Sequence, residues 1–126
     1  MTTPHLGGML LASTHPEQLH AWYRDALAPD TDQKVDSYRV LGFDGFYLMV
    51  DQRDDIADSN SEGARMILNF EVDDAAAVAA RMDELGTTWV SPLEDREGSF
   101  FATAKDPDGN YVQVIQLSEE ARASMS

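Results

Sequence analysis

Apolar positions along this chain alternate between short strand-like runs and a helical stripe, and the whole pattern occurs twice. Leu6 to Ser13 is mostly apolar and reads as a buried strand. Ser13-Thr14-His15-Pro16-Glu17 reads as a helix start, with Thr14 and Glu17 at capping-box spacing and a proline in the first turn, where it is tolerated. The helix that follows sets Leu19, Trp22, Tyr23, Ala26 and Leu27 along one face and leaves His20 to solvent. Ala28-Pro29-Asp30 stops it. Gln33 to Leu41 predicts one or two short strands around Val35, Tyr38 and Val40. Gly42-Phe43-Asp44-Gly45 reads as a turn, and Phe46 to Asp51 as a strand. From Gln52 to Gly63 apolar periodicity is almost lost, which predicts a linker over about residues 53–63.

The second half runs in the same order. Arg65 to Val72 reads as a strand, and Asp73 and Asp74 suit the N-cap of a helix that buries Val78, Met82 and Leu85 and ends at Gly86. Thr87 to Val90 predicts a short strand ended by Ser91-Pro92. Ser99 to Lys105 and Tyr111 to Gln116 predict two more, joined by the tight turn Asp106-Pro107-Asp108-Gly109. The polar tail from Ser118 reads as a frayed helix. Asp83-Glu84-Leu85 matches Asp25-Ala26-Leu27 at an offset of 58. Asp108-Gly109-Asn110-Tyr111 matches Asp44-Gly45-Phe46-Tyr47 at an offset of 64. Two matched copies point to an internal duplication. The expectation is one α+β domain over residues 1–126, with modules at about 6–52 and 64–117 and a tail at 118–126.

A length of 126 residues suits one domain, and 43% hydrophobic residues are enough for a core. There is no cysteine, so disulfides, thiolate metal sites and a cysteine nucleophile are excluded. Met1-Thr2-Thr3-Pro4-His5 lacks the basic and apolar regions of a signal peptide, and no apolar run is long enough to span a bilayer. These features predict a cytoplasmic protein. Nine Lys and Arg against 23 Asp and Glu give a net charge of −14, which repels nucleic acid and anionic membranes and attracts cations. Neither nucleic acid nor membrane is an expected partner. Nothing resembles a Ser-His-Asp set or a phosphate loop. The three histidines make no site: His5 lies in the N-terminal arm, His15 at the helix start and His20 on the helix.

Three motifs carry a family resemblance. Asp106-Pro107-Asp108-Gly109-Asn110-Tyr111, set between two strands, resembles the terminal hairpin of the vicinal oxygen chelate superfamily. Trp22-Tyr23-Arg24-Asp25-Ala26-Leu27 resembles its first-helix motif, and Phe70-Glu71-Val72-Asp73-Asp74 its second strand-to-helix junction. The superfamily holds glyoxalases, extradiol dioxygenases, epimerases, fosfomycin-type resistance enzymes and bleomycin-binding proteins. The resemblance implies the glyoxalase/bleomycin-resistance fold, two βαβββ modules whose curved mixed sheets surround a cavity, and a homodimer.

Strand alternation then assigns faces. Met9, Leu11, Phe46, Leu48, Val50, Met66, Leu68, Phe70, Val72, Val112 and Val114 are expected under the helices. Tyr47, Met49, Asp51, Ile67, Asn69, Glu71, Tyr111, Gln113 and Ile115 are expected on the cavity side as the ligand-binding set, a mix of apolar and polar groups usual for a small-molecule site. Trp89, Phe100 and Phe101 are candidates for added stacking surface or for the core. Glu71 is the one catalytic candidate, as a carboxylate able to receive a cation or act as a base. Metal-dependent relatives carry ligands at four such places, which the resemblance puts on Gly8, Met49, Ile67 and Gln113. Only Gln113 has a usable donor, through a neutral carbonyl, so no metal and no other cofactor is expected. The expected function is metal-independent binding that sequesters a cationic or aromatic small molecule, such as an antibiotic. The alternative is a glyoxalase- or dioxygenase-like enzyme (lyase, isomerase or ring-cleaving), with or without a divalent metal.

Overall fold

In the computed structural model, which describes residues 2–125, the elements follow one plan twice. The first set is β1 (Gly8–Ser13), α1 (Pro16–Leu27), β2 (Thr31–Val35), β3 (Tyr38–Phe43) and β4 (Phe46–Gln52). The second is β5 (Leu68–Glu71), α2 (Ala75–Glu84), β6 (Thr88–Arg96), β7 (Ser99–Lys105) and β8 (Tyr111–Gln116), followed by a short α3 (Glu119–Ser124). Two compact units result, the first reaching Asp58 and the second starting at Ser59. Each has a four-stranded mixed sheet, in the orders β1-β4-β3-β2 and β5-β8-β7-β6. β1 runs parallel to β4 and β5 to β8, while the remaining pairs are antiparallel. The architecture is α+β, with one βαβββ motif per unit.

Each sheet buries one face beneath its helix. In unit 1 the buried strand residues Leu11, Leu41, Leu48 and Val50 accompany Leu19, Trp22, Tyr23 and Ala26 of α1. The Trp22 and Tyr23 rings meet edge to face, with centroids 4.8 Å apart. In unit 2 the buried set is Ala102, Ala104, Val112 and Val114 with Ala75, Val78 and Met82 of α2. The strand parity expected for β1, β4 and β8 therefore holds. The repeat register is corrected on the helices. Leu19 and Tyr23 correspond in burial to Val78 and Met82, an offset of 59 rather than 58. The hairpin offset of 64 matches Leu48 with Val112 and Val50 with Val114, all four buried.

Several local expectations are overturned. Thr14 forms no capping box: the N-cap is His15, without a side-chain cap, and the Thr14 hydroxyl donates to Asp58 at 2.8 Å. Ser13 does part of that work, its Oγ accepting from the His15 N–H at 2.9 Å. On α2 the expected cap is present, Asp74 accepting from the Ala77 N–H at 3.1 Å. β3 continues to Phe43, so the turn narrows to Asp44-Gly45, both with positive φ (50° and 89°) as a right-twisted hairpin prefers. β5 starts at Leu68, because Gly63–Arg65 forms a 3-10 turn, and Met66 is 67% exposed rather than under the helix. Leu85 is exposed as well. β6 runs on through Pro92 to Arg96. It lies at the sheet edge with register shifts against β7, where a proline removes no needed ladder bond.

The largest correction is His20, which is 2% exposed rather than solvated. Its Nε2 lies 2.9 Å from Asp32 Oδ1, and Arg39 Nη2 lies 3.7 Å from the same oxygen. Asp32 and Arg39 come from β2 and β3, on the strand parity that turns them to the helix side. A polar side chain inside a core is tolerated when it finds such a partner. The partner stands twelve residues downstream on a strand whose register the sequence leaves open.

Candidate functional site

The face of each sheet away from its helix is open, and the two open faces differ. In unit 1 the register aligns Gly8 with Tyr47, Leu10 with Met49, and Ala12 with Asp51. β3 adds Val40 opposite Met49, and β2 adds Gln33 opposite Val40. Tyr47 is half exposed, and Leu10, Val35 and Tyr38 are exposed too. This face is mostly apolar and aromatic, and among the described residues of its four strands Asp51 is the one charged group.

In unit 2 the register builds three cross-strand rows. The first is Tyr111, Lys105 and Thr88. The second is Asn69, Gln113, Thr103 and Ser91. The third is Glu71, Ile115, Phe101 and Glu94. Lys105 Nζ lies 5.9 Å from the centre of the Tyr111 ring, and the Arg96 guanidinium 5.1 Å from that of Phe101. Arg96 pairs with Glu94. From α3, Arg122 reaches Glu71 at 3.2 Å. Glu71 therefore has a cationic partner of its own, with both side chains about half exposed.

Every residue expected in the ligand-binding set has a definite place. Tyr47, Met49 and Asp51 share the open face of unit 1. Asn69, Glu71, Tyr111, Gln113 and Ile115 share that of unit 2. Ile67 precedes β5 and is 43% exposed, so it lies outside the ladder. Trp89 turns to the helix side, its Nε1 donating to Asp83 of α2 at 2.8 Å. Phe100 shares that side, since it pairs with Gln116, whose Oε1 accepts from the Ala75 N–H at 2.8 Å. Phe101 alone of the three lies on the open face. The face also gains Ser91, Glu94, Arg96, Thr103, Lys105 and Arg122, which reasoning from sequence did not select. Alternation along Ser99–Lys105 would have found Thr103 and Lys105. The irregular register of β6 hid Ser91 and Glu94.

The donor chemistry at the four places that the resemblance assigns to metal ligands does not fit a metal. Gly8 and Ile67 have no donor atom, Met49 offers a thioether, and Gln113 offers a neutral amide. Position 8 is closed in a second way. A Cβ added at Gly8 would press into the backbone carbonyl of Tyr47 on the paired strand, so no ligating side chain fits there without moving the main chain. Among the described residues no group of three or more His, Cys, Asp or Glu is placed to hold a metal ion. His5 and His15 are exposed, and His20 is committed to Asp32.

The resolved pKa shifts lie away from both faces. A hydrogen bond from Arg24 holds Asp25 below the usual carboxylate range and raises Arg24 in turn. The Arg53–Asp55 pair behaves likewise. All four are surface groups, so these shifts mark solvated ion pairs and not a reactive centre. The described helices include none long and apolar enough to cross a membrane.

Comparison with known proteins agrees with this architecture. Several solved structures share it at low sequence identity. Fosfomycin resistance protein FosX from Mesorhizobium loti is 15% identical, with 97% of this chain and 99% of that one covered and a TM-score of 0.75. The oxidase ChaP-H2 is 16% identical, with 93% and 96% covered and a TM-score of 0.76. TioX from Micromonospora sp. ML1 is 17% identical, with 90% and 98% covered and a TM-score of 0.65. No curated protein sequence matches the chain. At these identities the likeness speaks for the glyoxalase/bleomycin-resistance fold alone. The glyoxalase-like domain matches residues 8–115, which takes in both βαβββ motifs and all eight strands but the last residue of β8. The chain belongs to the glyoxalase-like domain family of the vicinal oxygen chelate superfamily.

Proposed function

We propose that this chain is a metal-independent receptor that binds a small molecule on its open sheet faces. It works in the cytoplasm as a homodimer and sequesters an aromatic compound, for example an antibiotic. The observation that carries this reading is the state of the four family metal positions. Three have no suitable donor, and at Gly8 the neighbouring main chain excludes one. Each open face offers what a small-molecule site needs, aromatic surface beside polar groups: Tyr47, half exposed, with Asp51 in unit 1, and Tyr111, partly exposed, with Gln113 and Asn69 in unit 2. A cationic ligand, favoured by the overall charge, would have to displace Arg122 from Glu71.

Native mass spectrometry of freshly purified protein tests the reading, paired with elemental analysis. The expected result is a co-purifying organic adduct, or calorimetric heat with aromatic drugs, and less than a tenth of an equivalent of zinc, nickel, iron or manganese. Stoichiometric metal, or conversion of a bound compound to product, would replace this reading with the catalytic one. Size-exclusion chromatography with light scattering checks the dimer, whose expected mass is twice 13.9 kDa.

A further inference from the structure

The open face of unit 2 carries the opposite charge bias to the molecule as a whole. The chain has nine Lys and Arg, and three of them, Arg96, Lys105 and Arg122, reach this face. Arg96 is neutralised by Glu94 and Arg122 by Glu71. Lys105 is exposed, makes no ion pair among the described residues, and sets its Nζ over the Tyr111 ring. The nearest carboxylate in sequence, Asp106, is turned into the hairpin, where it accepts from the Asp108 N–H, the Asn110 N–H and Asn110 Nδ2.

Next to Lys105 lies the row Asn69, Gln113, Thr103 and Ser91. None of these four side chains hydrogen-bonds another protein group among the described residues. Neighbouring rows on one face stand roughly 7 Å apart and neighbouring strands about 4.8 Å. The row is therefore a strip roughly 14 Å long that presents amide and hydroxyl groups across the sheet. Tyr111 bounds it on one side, and Ile115 and Phe101 bound it on the other. An uncompensated ammonium beside unpaired polar groups and flanking aromatic rings complements a planar molecule with an acidic group at one end.

Resting on the receptor reading above, we infer that unit 2 binds a small aromatic anion, with its carboxylate or comparable acidic group at Lys105 and its ring over the Gln113–Thr103 strip. The ligand class is thus anionic, against the −14 charge of the chain.

Three matched probes test this: 2-naphthoate, its neutral carboxamide and its cationic amidine. Each is titrated at low salt into the full-length 15N-labelled chain and followed by amide chemical shifts. The naphthoate is expected to perturb Thr103, Lys105, Tyr111 and Gln113 saturably and to bind about tenfold more tightly than either analogue, as one charge-assisted contact allows. Lys105→Met is expected to remove that advantage and Lys105→Arg to keep it, and added salt is expected to shrink it in the unmodified protein. Equal or tighter binding of the amidine at these amides overturns the anion assignment and leaves the receptor reading standing. So does naphthoate binding that Lys105→Met leaves unchanged. If no probe perturbs either open face, the receptor reading falls with it. Concentration-dependent shifts of the same amides without ligand, abolished by Lys105→Met, would make the occupant a second acidic copy of this chain and also overturn the assignment.

Discussion

The two units share a chain path, a strand order and a core register, yet they place polarity on opposite sides of their sheets. Unit 1 gathers an ionic cluster of His20, Asp32 and Arg39 on its helix side and leaves its open face mostly apolar around Leu10, Met49 and Tyr47. Unit 2 packs Ala, Val and Met under α2, with Trp89, Phe100 and the Gln116 amide on the same side, and puts the ion pairs Glu71–Arg122 and Glu94–Arg96 on the open face. A duplicated frame fixes which positions face which way and leaves the chemistry of each face free. The core needs only the right volume and apolar character on one parity, so the other parity can diverge without cost to folding.

Mutations can break this comparison, and the largest effects belong to the shared core. Leu48→Ala, at the fully buried centre of β4, should cost about 3–5 kcal/mol in urea unfolding, the range for emptying a tight leucine site. A second transition left unshifted in that experiment would mean that the units unfold separately. Next is the part-buried pair of unit 1. His20→Ala copies Ala79, its counterpart at the corrected offset, and leaves Asp32 with Arg39 alone; a loss of about 1–3 kcal/mol is expected. No measurable loss would show that the pair is incidental to the fold. Gly8→Ala should cost about 1–3 kcal/mol through overpacking against Tyr47. Ile67→Ala, the matching position in unit 2, is half exposed and should stay within about 0.5 kcal/mol. The smallest effect is expected at Glu71→Gln, which loses a solvated pair with Arg122 and should shift stability by less than about 1 kcal/mol. A larger shift would make α3 an integral part of unit 2.

The parts of the fold that could be read in advance are those where period and burial agree. Alternation in Phe46–Asp51 and Tyr111–Gln116 assigns every face as found, because a strand with one buried side has no freedom of register. The repeat was visible in the Asp-Gly hairpins for the same reason. What escaped depends on contacts between distant residues. His20 looked like a surface histidine because its acid lies on an edge strand of wholly exposed residues. β6 looked short because Ser91-Pro92 reads as a stop, whereas a bulged edge strand carries it through. Glu71 stood out as a lone carboxylate only because Arg122 lies in a polar tail that gives no sign of folding back.

The crowding at Gly8 also bears on what this protein can become. Restoring a missing ligand is a single codon change where the side chain has room, and Gln113→Glu is of that kind. At position 8 any side chain meets the main chain of Tyr47, so β1 and β4 would first have to separate. Two strands packed this closely act as a ratchet against a ligating side chain at position 8: the way to one leads through a less stable protein, while drift toward new ligands on the open faces stays unobstructed.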